Sequence, residues 1–336
     1  MARASAFALS LLLSLAIGLA ALPADYASAS ATASASSTCP AGVRTACGAA
    51  QTCCPVLFSP TNFGCCPLDG AVCCGGQECC PSGHTCVNTS TYSAICVPGD
   101  GSANVSATQV CGPGPAQPAS SSSLPSLVVN GDSVSIGQMP DLTTLLAGKA
   151  FVQHSPDAGG GGADDVGNGV RCAEVFWRDS MFDADPASSN WTLYSFNYGL
   201  HNLDNATAAE TQYAQLLAQY ADSLLARVPS PSRLLYVTTT PQMQFRVHGN
   251  TVVEDLNRLA LPIMAARNIE VADLYSRVTA YCGAVYSNCS LCDDEWSPAT
   301  NVTCGYHYSP QGWSWLASFM APIYERKLAA IAAESA

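Results

Sequence analysis

Positive charge is scarce in this chain. Its 336 residues carry 13 lysines and arginines against 25 aspartates and glutamates, and charged residues make up only 11%. With a net charge of −12 there is no basic footprint for a polyphosphate, which argues against nucleic acid or an anionic membrane as the main partner. Long apolar runs are scarce as well. One lies at the start, Phe7 to Leu22, and nothing later approaches the roughly 18 apolar residues that a membrane span needs. Histidine is limited to five positions, His84, His154, His201, His248 and His307, so a reaction that needs an imidazole has few places to find one.

The apolar start comes after Arg3 and precedes the small-residue stretch ADYASASATASASS. That order is the pattern of a secretory signal. It predicts a signal peptide over residues 1–27, a mature chain starting between Ala24 and Thr38, and a secreted, extracellular protein with no stable membrane anchor. An uncleaved anchor is the alternative. Asn-X-Ser/Thr sequons at Asn88, Asn104, Asn190, Asn205, Asn288 and Asn301 fit a glycosylating route.

Eighteen cysteines fit an oxidising compartment. Twelve of them crowd into residues 39–96: Cys39, Cys47, Cys53, Cys54, Cys65, Cys66, Cys73, Cys74, Cys79, Cys80, Cys86 and Cys96. A segment this short, with little Leu, Ile or Phe, cannot bury enough apolar surface and needs disulfides to hold it. Zinc is the rival reading of CCPLDGAVCCGGQECC, and the signal argues against it. The order of single and paired cysteines, CCP at Cys54 and Cys66, and ECCPSGHTC from Glu78 to Cys86 resemble a granulin module. The resemblance implies stacked hairpins stapled by six disulfides, used for interaction or signalling.

Residues 97–126 are rich in Pro, Gly and Ser, lack hydrophobic periodicity and read as a linker. Cys111 within it is expected to tether it to the second domain. From Leu127 the pattern changes. LVV (127–129), WTLYSFNYG (191–199), SRLLYVTTTP (232–241) and IEVADLY (269–275) read as strands. AAETQYAQLLAQYADSLLARV (208–228), VVEDLNRLALPIMAARN (252–268) with Pro262 as a kink, and the final SPQGWSWLASFMAPIYERKLAAIA read as helices. Alternation of this kind predicts an α/β fold over residues 127–330, a three-layer α/β/α sandwich on a parallel sheet. Ligands of such sheets bind beyond the carboxyl ends of the strands, and Gly131-Asp132-Ser133 comes directly after the first strand.

Gly-Asp-Ser alone is ordinary turn chemistry. A serine becomes a nucleophile when a base takes its proton and donors await the oxyanion. His307, in TCGYHYSPQGWSWLA just before the last helix, is the histidine a loop can return to the first strand. His248 reads as a loop residue and His154 as a loop or pocket-lining residue. GDS near the domain start, a glycine-rich loop, SFNYGLHNLD and the late HYSPQGW resemble the SGNH/GDSL hydrolase family in the family's order, across nearly all of residues 127–328. The resemblance implies a flavodoxin-like sandwich and ester hydrolysis through an acyl-serine, with no cofactor or metal. Ser133, flanked by Asp132, matches the nucleophile and His307 the general base. Gly159 is the favoured oxyanion glycine, and His201 or Asn202 stands where the family's asparagine donates. The family's aspartate before the histidine is Cys304 here, so an orienting carboxylate is sought at Asp293, Asp294 or Glu295.

Cys111, Cys172, Cys282, Cys289, Cys292 and Cys304 make an even count in this domain, and disulfides near the end would stiffen the loop carrying His307. The function expected is a secreted serine esterase. Its substrate would be an ester, such as an acetyl ester on a carbohydrate or cell-surface glycoconjugate. The alternative is a non-catalytic extracellular binding or signalling protein, in which the granulin-like module acts beside a degenerate hydrolase scaffold. Oligomeric state is not legible.

Overall fold

A computed structural model describes residues 39, 47, 50–56, 59–74, 78–90, 93–111, 124–155, 163–178, 191–241, 249–283, 289–292 and 306–334. The expected signal peptide, residues 1–27, lies outside the described residues, as do Gly159, His248, Asp293, Asp294, Glu295 and Cys304, and the sequons Asn190, Asn288 and Asn301. Among the described residues, no helix is long and apolar enough to cross a membrane.

The cysteine-rich segment folds as short antiparallel ribbons. Strand β1 (Thr52–Val56) pairs with β2 (Ser59–Cys66); β3 (Val72–Cys73), β4 (Glu78–Cys80) and β8 (Thr108–Gln109) form a second sheet; β5 (His84–Ser90), β6 (Ser93–Pro98) and β7 (Val105–Ser106) form a third. Six disulfides, Cys39–Cys53, Cys47–Cys65, Cys54–Cys73, Cys66–Cys79, Cys74–Cys86 and Cys80–Cys96, run along the stack as a ladder. The half-cystines Cys54, Cys65, Cys66, Cys79, Cys80 and Cys96 are fully buried, so sulfur fills the space that Leu and Ile fill elsewhere. The stretch read as a linker contributes β7 and β8, because backbone pairing with β6 and β4 needs no apolar periodicity. Asn104 stands exposed just before β7.

The second domain is a five-stranded parallel sheet. Its strands are β9 (Ser126–Asn130), β10 (Phe151–His154), β11 (Leu193–Phe196), β12 (Leu234–Val237) and β13 (Glu270–Ala272), in the order β10-β9-β11-β12-β13. Every residue of β11 and β12 is buried, as expected for strands covered on both faces. Helices α2 (Val166–Arg178), α3 (Ala206–Leu225) and α4 (Gly249–Ala265) pack in succession on one side. On the other, α1 (Ser133–Leu145) packs on α6 (Pro310–Glu334), and α5 (Leu274–Cys282) lays Arg277 and Tyr281 against Trp315 of α6. This is the α/β/α sandwich with flavodoxin-like strand order. Its switch point lies at the carboxyl end of β9, where the chain leaves to opposite sides.

Two sequence readings are corrected. The strand expected over residues 269–275 ends at Ala272, because Asp273 caps a helix: its side chain accepts from the Ser276 N–H at 3.0 Å. His154 is not in a loop. It ends strand β10 and is 2% exposed.

The module and the sandwich meet at a cysteine pair. Cys65 and Cys111 exchange backbone hydrogen bonds at 2.7 and 2.9 Å, and Cys111 is disulfide-bonded to Cys172 in α2.

Candidate active site

Strand β9 delivers the polar triplet to the switch point. Asp132 is the N-cap of α1, accepting from the Val134 N–H at 2.9 Å, and Ser133 is the first helical residue. Its backbone N–H is therefore among the unpaired donors at a helix start, where negative charge is favoured. Packing fixes the turn. A Cβ on Gly131 would sit 2.7 Å from Ser135 Oγ, so any larger residue there would have to displace that hydroxyl. Ser135 Oγ donates to the Asp132 carbonyl at 2.6 Å and lies 2.7 Å from His154 Nε2, tying the turn to the edge strand.

His307 meets the serine. Its Nε2 lies 2.8 Å from Ser133 Oγ, within the distance proton transfer requires. Neighbouring residues hold its loop: Tyr308 bridges Cys292, Ser309 N–H donates to the Leu291 carbonyl at 2.9 Å, and Tyr308 is fully buried. Ser309 Oγ then accepts from Gly312 N–H at 3.1 Å, opening α6. Cys282 and Cys289 are bonded to each other beside this loop, and Cys292 is disulfide-bonded as well. Trp313, in the first turn of α6, packs against Tyr308 with ring centroids 5.3 Å apart and planes tilted by 60°, and lies 6.4 Å from the His307 ring.

A third arm comes from the end of β11. Gly199 packs so tightly on Thr239 that a Cβ would overlap its hydroxyl, and the adjoining 3-10 turn, Leu200–Asn205, carries His201 and Asn202. His201 Nδ1 lies 2.8 Å from Asp164 Oδ1. Asn202 is used differently: its Oδ1 accepts from the Val166 N–H at 3.3 Å, at the start of α2. Asp164 was not singled out by sequence reasoning, since nothing in AGGGGADD marks one carboxylate among its neighbours. Nor was Ser135, which the i+2 spacing from Ser133 hides.

The electrostatics centre on Asp132. Burial pushes its carboxyl above the usual range, opposed by His201, by the Val134 and Ser135 N–H groups and by His307. Its Oδ2 is buried with no hydrogen-bond partner among the described residues, as are Asn130 Oδ1 and Thr240 Oγ1. All three residues line one pocket behind the turn, together with Gln138, Asn197 and Tyr324. Asn130, next to the triplet, donates to Tyr198 and Tyr220, both at 2.9 Å, which anchors the strand end in a buried tyrosine cluster.

Residues 52–96 match the Granulin family model. That granulin module resembles Progranulin of Cavia porcellus, 54% identical over 41 residues, and Progranulin of Homo sapiens, 46% identical over 44 residues. The matches cover 12% and 13% of this chain and only 6% and 7% of those proteins. Among solved structures, the chain is similar to a lipase/acylhydrolase from Enterococcus faecalis. The identity is 13% and the TM-score 0.43, over 61% of this chain and 97% of that one. It is also similar to a carbohydrate esterase family 3 protein from Talaromyces cellulolyticus, at 10% identity and TM-score 0.44, over 61% of this chain and 98% of that one.

Proposed function

We propose that the α/β domain is a serine esterase of SGNH/GDSL type, acting in a secreted protein on an ester such as an acetyl ester of a carbohydrate. The observation that carries this is the 2.8 Å contact between His307 Nε2 and Ser133 Oγ at the switch point of the sheet. Ser133 Oγ attacks the ester carbonyl carbon while His307 Nε2 accepts the hydroxyl proton. The carbonyl oxygen becomes an oxyanion beside the Ser133 N–H, at the positive end of α1. Collapse of the tetrahedral species breaks the ester C–O bond. The proton on His307 passes to the leaving alcohol, and the acyl group stays on Ser133. Water then attacks the acyl-serine with His307 again as base, releasing the acid and restoring the serine.

Hydrolysis of p-nitrophenyl acetate by the full chain tests this reading. Ser133→Ala and His307→Ala are each expected to lower kcat by about 10³-fold or more. A wild-type rate equal to that of Ser133→Ala would refute it.

The second reading, a non-catalytic binding protein, is favoured by the granulin match and by Cys304 at the family's aspartate position. It predicts no difference between wild type and either variant.

A further inference from the structure

Ser133 hangs from a peptide that is gripped on its far side. The Asp132 carbonyl accepts from Ser135 Oγ at 2.6 Å, from the Ser135 N–H at 3.0 Å and from the Ile136 N–H at 3.1 Å. A trans peptide is planar, with its C=O and N–H pointing opposite ways. Donors gathered on the Asp132 oxygen therefore aim the Ser133 N–H. The two backbone donors belong to the first turn of any helix. The hydroxyl is an addition that the helix itself does not require.

Ser135 is held in turn by His154. Its Oγ lies 2.7 Å from Nε2 of that ring, which ends edge strand β10 and is 2% exposed. The hydroxyl has one proton, and oxygens 2.6 Å apart need a proton between them, so it points at the Asp132 carbonyl. The ring then donates from Nε2 to Oγ. Its Nδ1 donates to the Ser155 carbonyl at 2.8 Å, so both ring nitrogens carry protons. The Ser155 N–H donates to the Val129 carbonyl of β9 at 2.9 Å. The bonds thus make a closed circuit, from β9 to β10, through the imidazole and Ser135, and back to the turn in which β9 ends.

We propose that His154 and Ser135 are positioning residues for Ser133: the imidazole locks the hydroxyl, and the hydroxyl fixes and polarises the Asp132–Ser133 peptide. Hydrogen bonds in series strengthen one another, so a donor on the carbonyl makes the N–H of the same peptide a better donor. A serine in the first turn of a helix often bonds its own backbone. The buried imidazole on its other side is what turns this serine into a strut. The proposal rests on the esterase reading of Ser133 and His307.

The experiment compares Ser135→Ala, His154→Leu, His154→Gln and the double variant Ser135→Ala/His154→Leu in the full chain. Steady-state kinetics on p-nitrophenyl acetate are paired with NMR of the Ser133 amide and the His154 ring. Ser135→Ala and His154→Leu should each lower kcat about 10 to 100-fold with KM nearly unchanged. The double variant should lose no more than the larger single loss, because both changes act on one peptide. His154→Gln, whose amide can donate to the same hydroxyl, should keep most of kcat. The Ser133 amide nitrogen resonance should move in the same direction in Ser135→Ala and His154→Leu and stay near wild type in His154→Gln. Wild-type kcat in Ser135→Ala, losses that multiply in the double variant, an unmoved Ser133 amide or a bare Nε2 on His154 would overturn the proposal. Ser135→Ala removes one half-buried hydroxyl and carries the test if His154→Leu fails to fold. The amide resonance needs no turnover, so it decides the point even if Ser133→Ala shows the esterase reading to be wrong.

Discussion

Gly137 offers a direct way to move the base without touching it. It lies in α1 opposite Trp313 of α6, and a Cβ there would sit 2.6 to 2.7 Å from Cε2, Cδ2 and Cζ2 of the indole. Those atoms belong to the rigid centre of the ring, so Gly137→Ala must displace Trp313 as a whole. Helix propensity favours alanine by about 1 kcal/mol, while overpacking of this kind costs about 1 to 3 kcal/mol. The net destabilisation is then about 0 to 2 kcal/mol, a fall in Tm of roughly 0 to 8 °C for a domain of this size. The catalytic effect should be larger than the thermal one. Trp313 packs against Tyr308, the residue after His307, so a shift of the indole moves the imidazole relative to Ser133 Oγ. Displacements of this order cost about 10 to 100-fold in kcat when they act on positioning. Steady-state kinetics on p-nitrophenyl acetate should show kcat falling with KM nearly constant. Adding Trp313→Phe, whose smaller ring makes room for the methyl, should recover most of the loss. Full kcat in Gly137→Ala, together with a Tm raised by helix propensity alone, would refute the idea that the α1–α6 contact positions the base.

Two further perturbations probe other supports. Replacing Cys282 and Cys289 together with serine opens a loop worth about 2.5 kcal/mol in chain entropy; kcat should fall more than Tm suggests, and an unchanged kcat would separate this disulfide from the base. Glu270 pairs with Arg326 at 2.6 Å and with the nearly buried Lys327 at 3.1 Å. Burial raises its carboxyl, but the two cations outweigh that and hold it below the usual value. The stabilisation is thus present above the unfolded value of about pH 4.3 and is lost as pH falls through the lowered folded value. Glu270→Gln should cost about 1 to 3 kcal/mol at pH 7, mainly by unpairing Lys327, and should flatten acid melting curves. Identical acid slopes in the two proteins would count against this.

The sequence made the centre of the sheet readable and its rim obscure. β12 is a continuous apolar run and β11 is one broken only by Ser195, and α3, α4 and α6 repeat apolar residues at helical spacing. All of these are legible from burial patterns alone. β10 escaped because it buries Gln153 and His154, polar residues that break any apolar pattern. α1 escaped because SVSIGQMPDLTTL has glycine and proline inside it and reads as loop; tertiary packing against α6 overrides that preference. α5 was hidden behind the strand before it, although Asp273 three residues ahead of Ser276 is a legible cap. The contact between Ser133 and His307 was foreshadowed by their places at a strand end and before the last helix. The pairing of Asp164 with His201 was not, since it depends on a fold-made contact across residues far apart in the chain.

The cysteine pair that joins the two halves has one more consequence. Cys111 stands before the Pro- and Ser-rich stretch, and its disulfide reaches past that stretch to Cys172 in α2. A protease that cuts the chain between residues 112 and 123 therefore severs the peptide without parting the fragments, which stay joined through sulfur. Release of a free granulin peptide would require two agents in sequence, a peptidase and a reductant, or a cut on the amino-terminal side of Cys111 itself.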